Sequence, residues 1–423
     1  MFKTLKAAQA WIESIEKFGQ KYDLSRMEKA CDLLNHPEQS FQSIHIGGTN
    51  GKGSTLAYLK ESLQAAGYNV GTFTSPYIVH FNERITLNND MISDDDLLYY
   101  INEVYHFQTM YLKRFNDQIT FFELLTLISF LYFKNQAVDV VLYEVGLGGS
   151  LDATNVITPL LSIITSLGYD HMGVLGDTLA SIAENKLGIV KANTPLISGI
   201  TQSNIKPIIK RRVETTKSPW IDASILPFKI LQHTPTLRFI FQGNSYETHM
   251  LGAHQARNAV LALCALDTLQ ALGFKTSLKA RQKGLLKAFM PGRFEIFENP
   301  LTILDGAHNI NGLEASLETL NATYPAHTKT LIFAVMADKA YRPMLALLEA
   351  QHARIIFTEI PYVRSEKAAQ LYQVSNAHEK YVISDYKEAY QKAQELSREQ
   401  DSVIYISGSL YFISMMRKTM IKT

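Results

Sequence analysis

The sequence predicts an α/β protein of two domains, an N-terminal one of P-loop type with a mainly parallel central sheet and a smaller, Rossmann-like C-terminal one. Three observations carry this expectation. Short β-rich runs alternate with longer helical patterns, the signature of layered α/β folds. The run Val138–Val145 is apolar nearly throughout, as a central strand covered on both faces should be. A β-rich run, Ser43–Ile46, enters the glycine-rich stretch Gly47–Gly53, and a helical pattern follows at once. The 423 residues also exceed what one hydrophobic core organises, at roughly 150 residues per domain.

Taken in order, the chain opens on a helical pattern over Ala7–Phe18, where Trp11, Ile12, Ile15 and Phe18 recur at helical spacing with charges between them. Strands are expected at Ser43–Ile46, Val70–Thr74, Val138–Val145, Leu160–Ser166 and Pro195–Ser198, and helices over Ser54–Ala66 and Phe121–Phe133. From Trp220 to Leu251 the pattern shortens into alternating strands, such as Leu237–Phe241 and Tyr246–Leu251. The helical run Gln255–Leu272 follows. Met290-Pro291-Gly292 and Pro300 then mark turns. After them come strands Leu301–Leu304, Thr330–Val335, Arg354–Thr358, Tyr381–Ser384 and Val403–Ile406, with helices Gly312–Leu320 and Pro343–Gln351. That second series reads as a doubly wound domain of residues 297–423, following a first domain of residues 1–296.

Composition narrows the function. Lys and Arg total 41 against 40 Asp and Glu, a net charge of +1 that gives no footing for a nucleic-acid partner. Two cysteines, Cys31 and Cys264, make neither a disulfide framework nor a thiolate metal site, and they suit a cytoplasmic protein. The N-terminus lacks the continuous apolar stretch of a signal peptide. The most apolar run, Leu124–Phe133, falls short of the ~20 residues that span a bilayer and reads as a buried helix. No membrane partner is expected.

The chemistry concentrates around Gly47–Ser54. Glycines let backbone N–H groups converge on phosphate oxygens, and the helix that follows adds its positive end. Lys52 would neutralise β- and γ-phosphates. Gly53 stands where the usual phosphate loop has Ser or Thr. A nucleotide site needs hard oxygen ligands for a metal, and Glu144 ends the central strand beside the flexible Val145–Gly149. Glu144 is either such a ligand or one half of a salt bridge. Ser75 ends the second strand, and Asp170-His171 follows the fourth; His171 reads equally as a ligand or as a structural histidine.

Gly48-Thr49-Asn50-Gly51-Lys52-Gly53-Ser54 resembles the nucleotide loop of the Mur ligase superfamily, where glycine follows the lysine. Further segments resemble the folylpolyglutamate synthase/dihydrofolate synthase family in that family's order, from about Ser25 to Phe412. They are Ser75-Pro76-Tyr77 with Phe81–Ile85, Thr120–Glu123, Glu144–Gly149 with Leu151–Asn155, Gly252–Gln255 with Asn258-Ala259, Pro291–Phe294, and Asp305–Asn309. The resemblance implies ATP contacts from Thr49, Asn50, Gly51, Lys52, Gly53 and Ser54, completed by Asn258, Arg293 and Asp305 across the two domains. It implies Mg²⁺ at Ser75, Glu144 and His171, with room for a monovalent cation. Thr120, Phe121, Phe122 and Glu123 with Leu151, Asp152 and Ala153 correspond to the pterin-binding region. From the residues alone, Phe121 and Phe122 read equally well as the buried face of a helix start. Lys186 matches a lysine carbamylated in the superfamily, and Lys52, Glu144, His171, Lys186 and His308 make up the implied catalytic set.

Four departures stand out: Ser150 in place of an arginine, Asn185 of a glutamate, Tyr77 of a frequent histidine and Ala340 of an aspartate. The implied activity is ATP-dependent addition of L-glutamate to a folate-type carboxylate through an acyl phosphate. Synthesis of dihydrofolate from dihydropteroate is a further option. A carboxylate is a poor electrophile, so phosphorylation supplies the leaving group. Two rivals share the loop. One is another Mur-type ligase, disfavoured because the glycine loop begins by residue 47 with no uridine-nucleotide domain before it. The other is a nucleotide switch that ligates nothing. A monomer is expected, since no long exposed apolar helix argues for an obligate dimer.

Overall fold

The structure is a computed structural model describing residues 1–16, 23–398 and 401–421. Phe18, expected at the end of the first helix, lies outside the described residues; the helix itself runs Leu5–Ser14 with Thr4 as its N-cap. The chain divides into two compact units, Met1–Pro227 with Arg257–Lys287 and Phe228–Ala256 with Ala288–Thr423.

The first unit is built on eight strands: β1 Ser43–Gly47, β2 Val70–Phe73, β3 Ile85–Leu87, β4 Asp90–Met91, β5 Val140–Glu144, β6 Leu161–Ile164, β7 Leu196–Ser198 and β8 Trp220–Asp222. Their order is β4-β3-β2-β5-β1-β6-β7-β8. All pairings from β2 to β8 are parallel, and only the edge strands β3 and β4 pair antiparallel. As its apolar run predicts, β5 is central and buried at every residue. The helix Phe121–Lys134 buries Leu124, Leu125, Leu127, Ile128 and Phe130 against this sheet's core. Among the described residues no helix is long and apolar enough to cross a membrane.

The helix Lys52–Ala65, which continues from β1 through the glycine loop, is gripped by the helix Leu278–Lys287. Gly284 is what permits the grip: a Cβ there would collide with the Ser62 backbone. The helix that begins with Lys52 is therefore buried along most of its length.

In the second unit, β9 Phe228–Gln232, β10 Leu237–Phe241 and β11 Asn244–Thr248 form an antiparallel sheet. Six more strands, β12 Glu295–Phe297, β13 Thr302–Leu304, β14 Thr328–Phe333, β15 Arg354–Phe357, β16 Lys380–Val382 and β17 Ser402–Ser407, take the order β12-β13-β17-β14-β15-β16. Every pairing except β12 with β13 is parallel. The grouping differs from a single break at residue 296. That residue lies inside β12, whose hydrogen bonds run to β13, and the three-stranded sheet also groups with the C-terminal strands.

Candidate active site

The glycine loop is braced by the residues just beyond β6. Thr49 N–H donates to the Ser166 carbonyl (2.9 Å) and Asn50 N–H to the Ser166 hydroxyl (2.9 Å). The Thr165 and Ser166 hydroxyls both donate to the Asn50 carbonyl, at 2.6 and 2.9 Å. The Thr49 hydroxyl donates to Gly168 O and accepts from Gly168 N–H. Gly51 adopts φ +87°, and a Cβ there would strike the Asn258 amide, so Asn258 is held directly against the loop. The loop and Asn258, linked in sequence only by resemblance, are thus brought together.

Lys52 opens its helix and turns back, its Nζ donating to Gly48 O at 3.1 Å and Thr49 O at 3.3 Å. Lys186, on the helix Leu179–Leu187, reaches the same Gly48 carbonyl with its own Nζ at 3.1 Å. Burial lowers the Lys186 amine to about 7, the Lys52 charge pushes in the same direction, and Asp170 and Asp152 oppose it. Lys186 is therefore not a solvated helix lysine.

Glu144 closes β5 as a buried carboxylate and accepts the Ser75 N–H at 3.2 Å. That contact is to the Ser75 backbone, and among the described residues no group of three or more His, Cys, Asp or Glu gathers as a metal site; the oxygens of Glu144 and Ser75, at neighbouring strand ends, are of the hard kind that Mg²⁺ takes. His171 is partly exposed and pairs with Asp170, Nε2 to Oδ2 at 3.8 Å. Its backbone N–H also donates to Asp170 Oδ1.

The segment Leu151–Ala153 leads into a short turn. Leu151 is half exposed, while Asp152 and Ala153 are buried. Asp152 accepts Leu147 N–H on Oδ2 (2.8 Å), and Thr154 N–H (3.0 Å) and the Thr154 hydroxyl on Oδ1. Burial pushes its carboxyl above the usual range, and these bonds pull it back. Thr120 and Glu123 close a capping box on the helix Phe121–Lys134. Glu123 is further committed to a buried ion pair with Arg26 Nε at 3.0 Å. Phe122 packs on Phe73, ring centroids 5.7 Å apart, whereas Phe121 joins Tyr77 and Phe81 around the Arg84 guanidinium at 5.1–5.7 Å.

In the second unit, Asp305 follows β13 and is buried, accepting Phe294 N–H (2.8 Å) and Ala307 N–H (2.9 Å). Burial raises its carboxyl; the Arg293 charge is the first of the effects that lower it. His308 Nδ1 lies 2.9 Å from Gly306 O. Burial, seconded by Arg293, holds His254 down to about 4.

Residues 46–266 match the Mur ligase middle domain and residues 292–410 the Mur ligase glutamate ligase domain. The chain is 38% identical over 429 residues to the dihydrofolate synthase/folylpolyglutamate synthase of Bacillus subtilis (strain 168), covering 99% of each. The chain belongs to the dihydrofolate synthase/folylpolyglutamate synthase family. Among solved structures, Mycobacterium tuberculosis folylpolyglutamate synthase complexed with ADP matches with TM-score 0.90 and 25% identity, over 98% of both chains. An FPGS–AMPPCP–folate complex matches with TM-score 0.86 and 28% identity, over 98% of this chain and 99% of that one.

Against this family background the departures have local explanations. Ser150 N–H and hydroxyl both donate to Asn185 O, so two of the departing residues touch each other. Tyr77 is one wall of the aromatic cluster around Arg84. Ala340 takes the N-cap position of the helix Tyr341–Glu349 without a side-chain bond, where an aspartate would supply one. Sequence reasoning missed Thr165, Ser166, Arg26 and His45. Two adjacent hydroxyl residues straight after an apolar strand were the available signal for the first pair. Nothing local marks Arg26 as the partner of Glu123.

Proposed function

We propose that this ligase uses ATP to add L-glutamate to folate-type carboxylates, with Mg²⁺ as its metal and Lys186 working as a carbamate. The observation that carries the reading is the convergence of Lys52 and Lys186 on the carbonyl of Gly48, inside the braced glycine loop. A family relative complexed with ADP and another with AMPPCP and folate support the same choice of nucleotide and acceptor.

The N-terminus of the helix Lys52–Ala65 would offer its positive end to phosphate oxygens, while the Thr49 and Asn50 N–H groups, taken by Ser166, hold the loop in shape. Transfer of the γ-phosphoryl group to the folate carboxylate gives an acyl phosphate and ADP. The glutamate amine then attacks the acyl carbon, the amide forms, and phosphate leaves. Lys52 offsets charge on the phosphoryl oxygens during the first step. Ser75, Glu144 and His171 would hold Mg²⁺, which when bound polarises phosphate oxygens. Asn258 supports the loop from beside Gly51. We extend the reading to Arg293, Asp305 and His308 as further nucleotide-handling residues, and to Thr120–Glu123 and Leu151–Ala153 as the pterin side of the site. Glu123 would act there through the helix start that it and Arg26 fix.

The working form in this reading is a monomer in the cytoplasm, the compartment that two free, buried cysteines suit. The deciding assay supplies ATP, Mg²⁺ and glutamate with either dihydropteroate or a reduced folate, and weighs the products. An added glutamyl residue, formed stoichiometrically with phosphate and only when acceptor and glutamate are both present, is the expected result. Phosphate release indifferent to glutamate would overturn the reading.

A further inference from the structure

We propose that His45 is a positioning residue for the folate-type substrate: its ring, acting through the Thr154 hydroxyl, fixes the carboxylate of Asp152 against the strand that carries the glycine loop. The inference rests on the reading above that Asp152 meets the substrate.

The chain of contacts is short and buried throughout. His45 Nε2 lies 2.7 Å from Thr154 Oγ1, and that same oxygen bonds Asp152 Oδ1. Both His45 and Thr154 are fully buried, and Asp152 nearly so. Proton counting sets the direction. Asp152 already receives N–H groups on both oxygens, Leu147 on Oδ2 and Thr154 on Oδ1, so the carboxylate is an acceptor. The single Thr154 hydroxyl proton therefore goes to Asp152, and the remaining hydrogen in the chain comes from His45 Nε2. The ring is thereby fixed as the Nε2–H tautomer. Nδ1 is left as a bare acceptor with no partner among the described residues, a cheaper orphan inside a protein than an unpaired N–H. Burial, aided by the Lys191 charge, holds the ring down to about 3, so it stays neutral at any working pH.

The placement gives the relay its purpose. His45 sits in β1 two residues before Gly47, where the glycine loop begins, and its strand neighbours are β5, which ends in Glu144, and β6. Leu147, which supplies the other hydrogen bond to Asp152, lies just beyond Glu144. Asp152 is thus pinned both to the nucleotide-loop strand and to the loop after Glu144. Phosphoryl transfer between two bound substrates depends on their mutual alignment, and small misplacements cost large factors in rate. A rigid tie between the loop strand and the substrate-facing carboxylate supplies that alignment.

The test compares the full-length protein with His45→Leu, His45→Gln and His45→Asn. The Gln amide nitrogen occupies the place of ring Nε2 and reaches Thr154, whereas the Asn nitrogen mimics Nδ1 and falls short. Steady-state constants are measured separately for reduced folate and for ATP, with Tm recorded beside them. We expect His45→Leu and His45→Asn to raise KM for folate about tenfold, the scale of one buried hydrogen bond. KM for ATP should stay within about twofold, and His45→Gln should recover most of the folate KM at a Tm like that of His45→Asn. The Gln–Asn pair, matched in polarity, keeps the test valid if the leucine variant does not fold. Equal folate KM in His45→Gln and His45→Asn, or changes that follow Tm alone, would overturn the relay. Asp152→Asn separates the premises. If it leaves folate KM unchanged, the placement of Asp152 at the substrate is at fault; if it raises KM while His45→Asn does not, the relay is.

Discussion

Lys52 and Lys186 donate to the same oxygen, the Gly48 carbonyl, each from 3.1 Å. Two ammonium groups on one acceptor repel each other, and burial of Lys186 weakens the solvent screening that would relieve them. The strain falls on the more buried partner: the Lys186 amine is lowered to about 7, by burial first and by Lys52 second. In the proposed reading the neutral Lys186 amine adds CO₂ and gives up a proton, and the resulting carbamate anion would relieve the repulsion.

The corresponding prediction concerns pH. The neutral amine is the species that forms a carbamate, and below about pH 7 Lys186 is increasingly protonated. Activity should therefore fall as pH drops through about 7, and added bicarbonate should restore part of it near that value. Intact mass at neutral pH should show one CO₂ on Lys186. Lys186→Ala should lose activity, with partial recovery in a small added carboxylate. Full activity in Lys186→Ala, or no bound CO₂, returns Lys186 to the role of an ordinary buried amine. That amine carries its own sign: its folded value lies below the unfolded one of about 10.4, so stability would rise with pH between the two.

Lys52 and Glu144 should separate nucleotide from metal. Lys52→Ala removes a cation from the phosphoryl site, and a lost contact to transition-state charge costs ~10²–10³ in rate. Glu144→Gln keeps the shape and the acceptor for Ser75 N–H but loses the charge. Its turnover should need far more Mg²⁺, with Tm little changed. Normal turnover at low Mg²⁺ would remove Glu144 from the metal site.

The central sheet was legible because β5 is apolar on both faces and β1 runs straight into glycines. The loop's bracing was less so: Thr165 and Ser166 lie more than a hundred residues from Asn50 in sequence, and only the parallel pairing of β1 with β6 brings them near. A boundary at 296 falls inside Glu295–Phe297, which pairs with β13, and a three-residue strand carries too little pattern to read from sequence. The helix Asp94–Phe115 did have the pattern, with Leu97, Tyr100, Ile101, Val104, Phe107 and Tyr111 on one buried face and Ser93 as cap. In the candidate site, motifs named the residues but not their partners. Glu123 is marked by its motif, but its buried partner Arg26 is not.

Gly51→Ala should impair nucleotide binding rather than folding. Its φ of +87° disfavours a side chain by ~1–2 kcal/mol, and the new Cβ would drive into the Asn258 amide. The loop must shift or Asn258 must leave. Calorimetric titration should show ATP affinity at least about tenfold weaker with Tm lowered by only a few degrees. Unchanged affinity would mean that Asn258 and the loop move without consequence for nucleotide.

The Arg26–Glu123 pair gives the last prediction, in which stability and catalysis part. Both side chains are buried, Nε to Oε2 at 3.0 Å, and Glu123 also receives Thr120 N–H at 2.8 Å. Removing one member strands the other's charge away from water, which typically costs about 3–5 kcal/mol. Glu123→Leu should thus lower Tm sharply. Arg26→Met together with Glu123→Leu removes both charges and should recover most of that loss, leaving chiefly the missing cap on Thr120. The helix start that carries Phe121 and Phe122 would still be placed by packing of Phe122 on Phe73. The double variant, assayed well below its Tm, should then keep its folate KM within a few-fold of the unsubstituted protein. A large rise in folate KM in the double variant, despite recovered Tm, would instead make the Glu123 carboxylate itself a substrate contact.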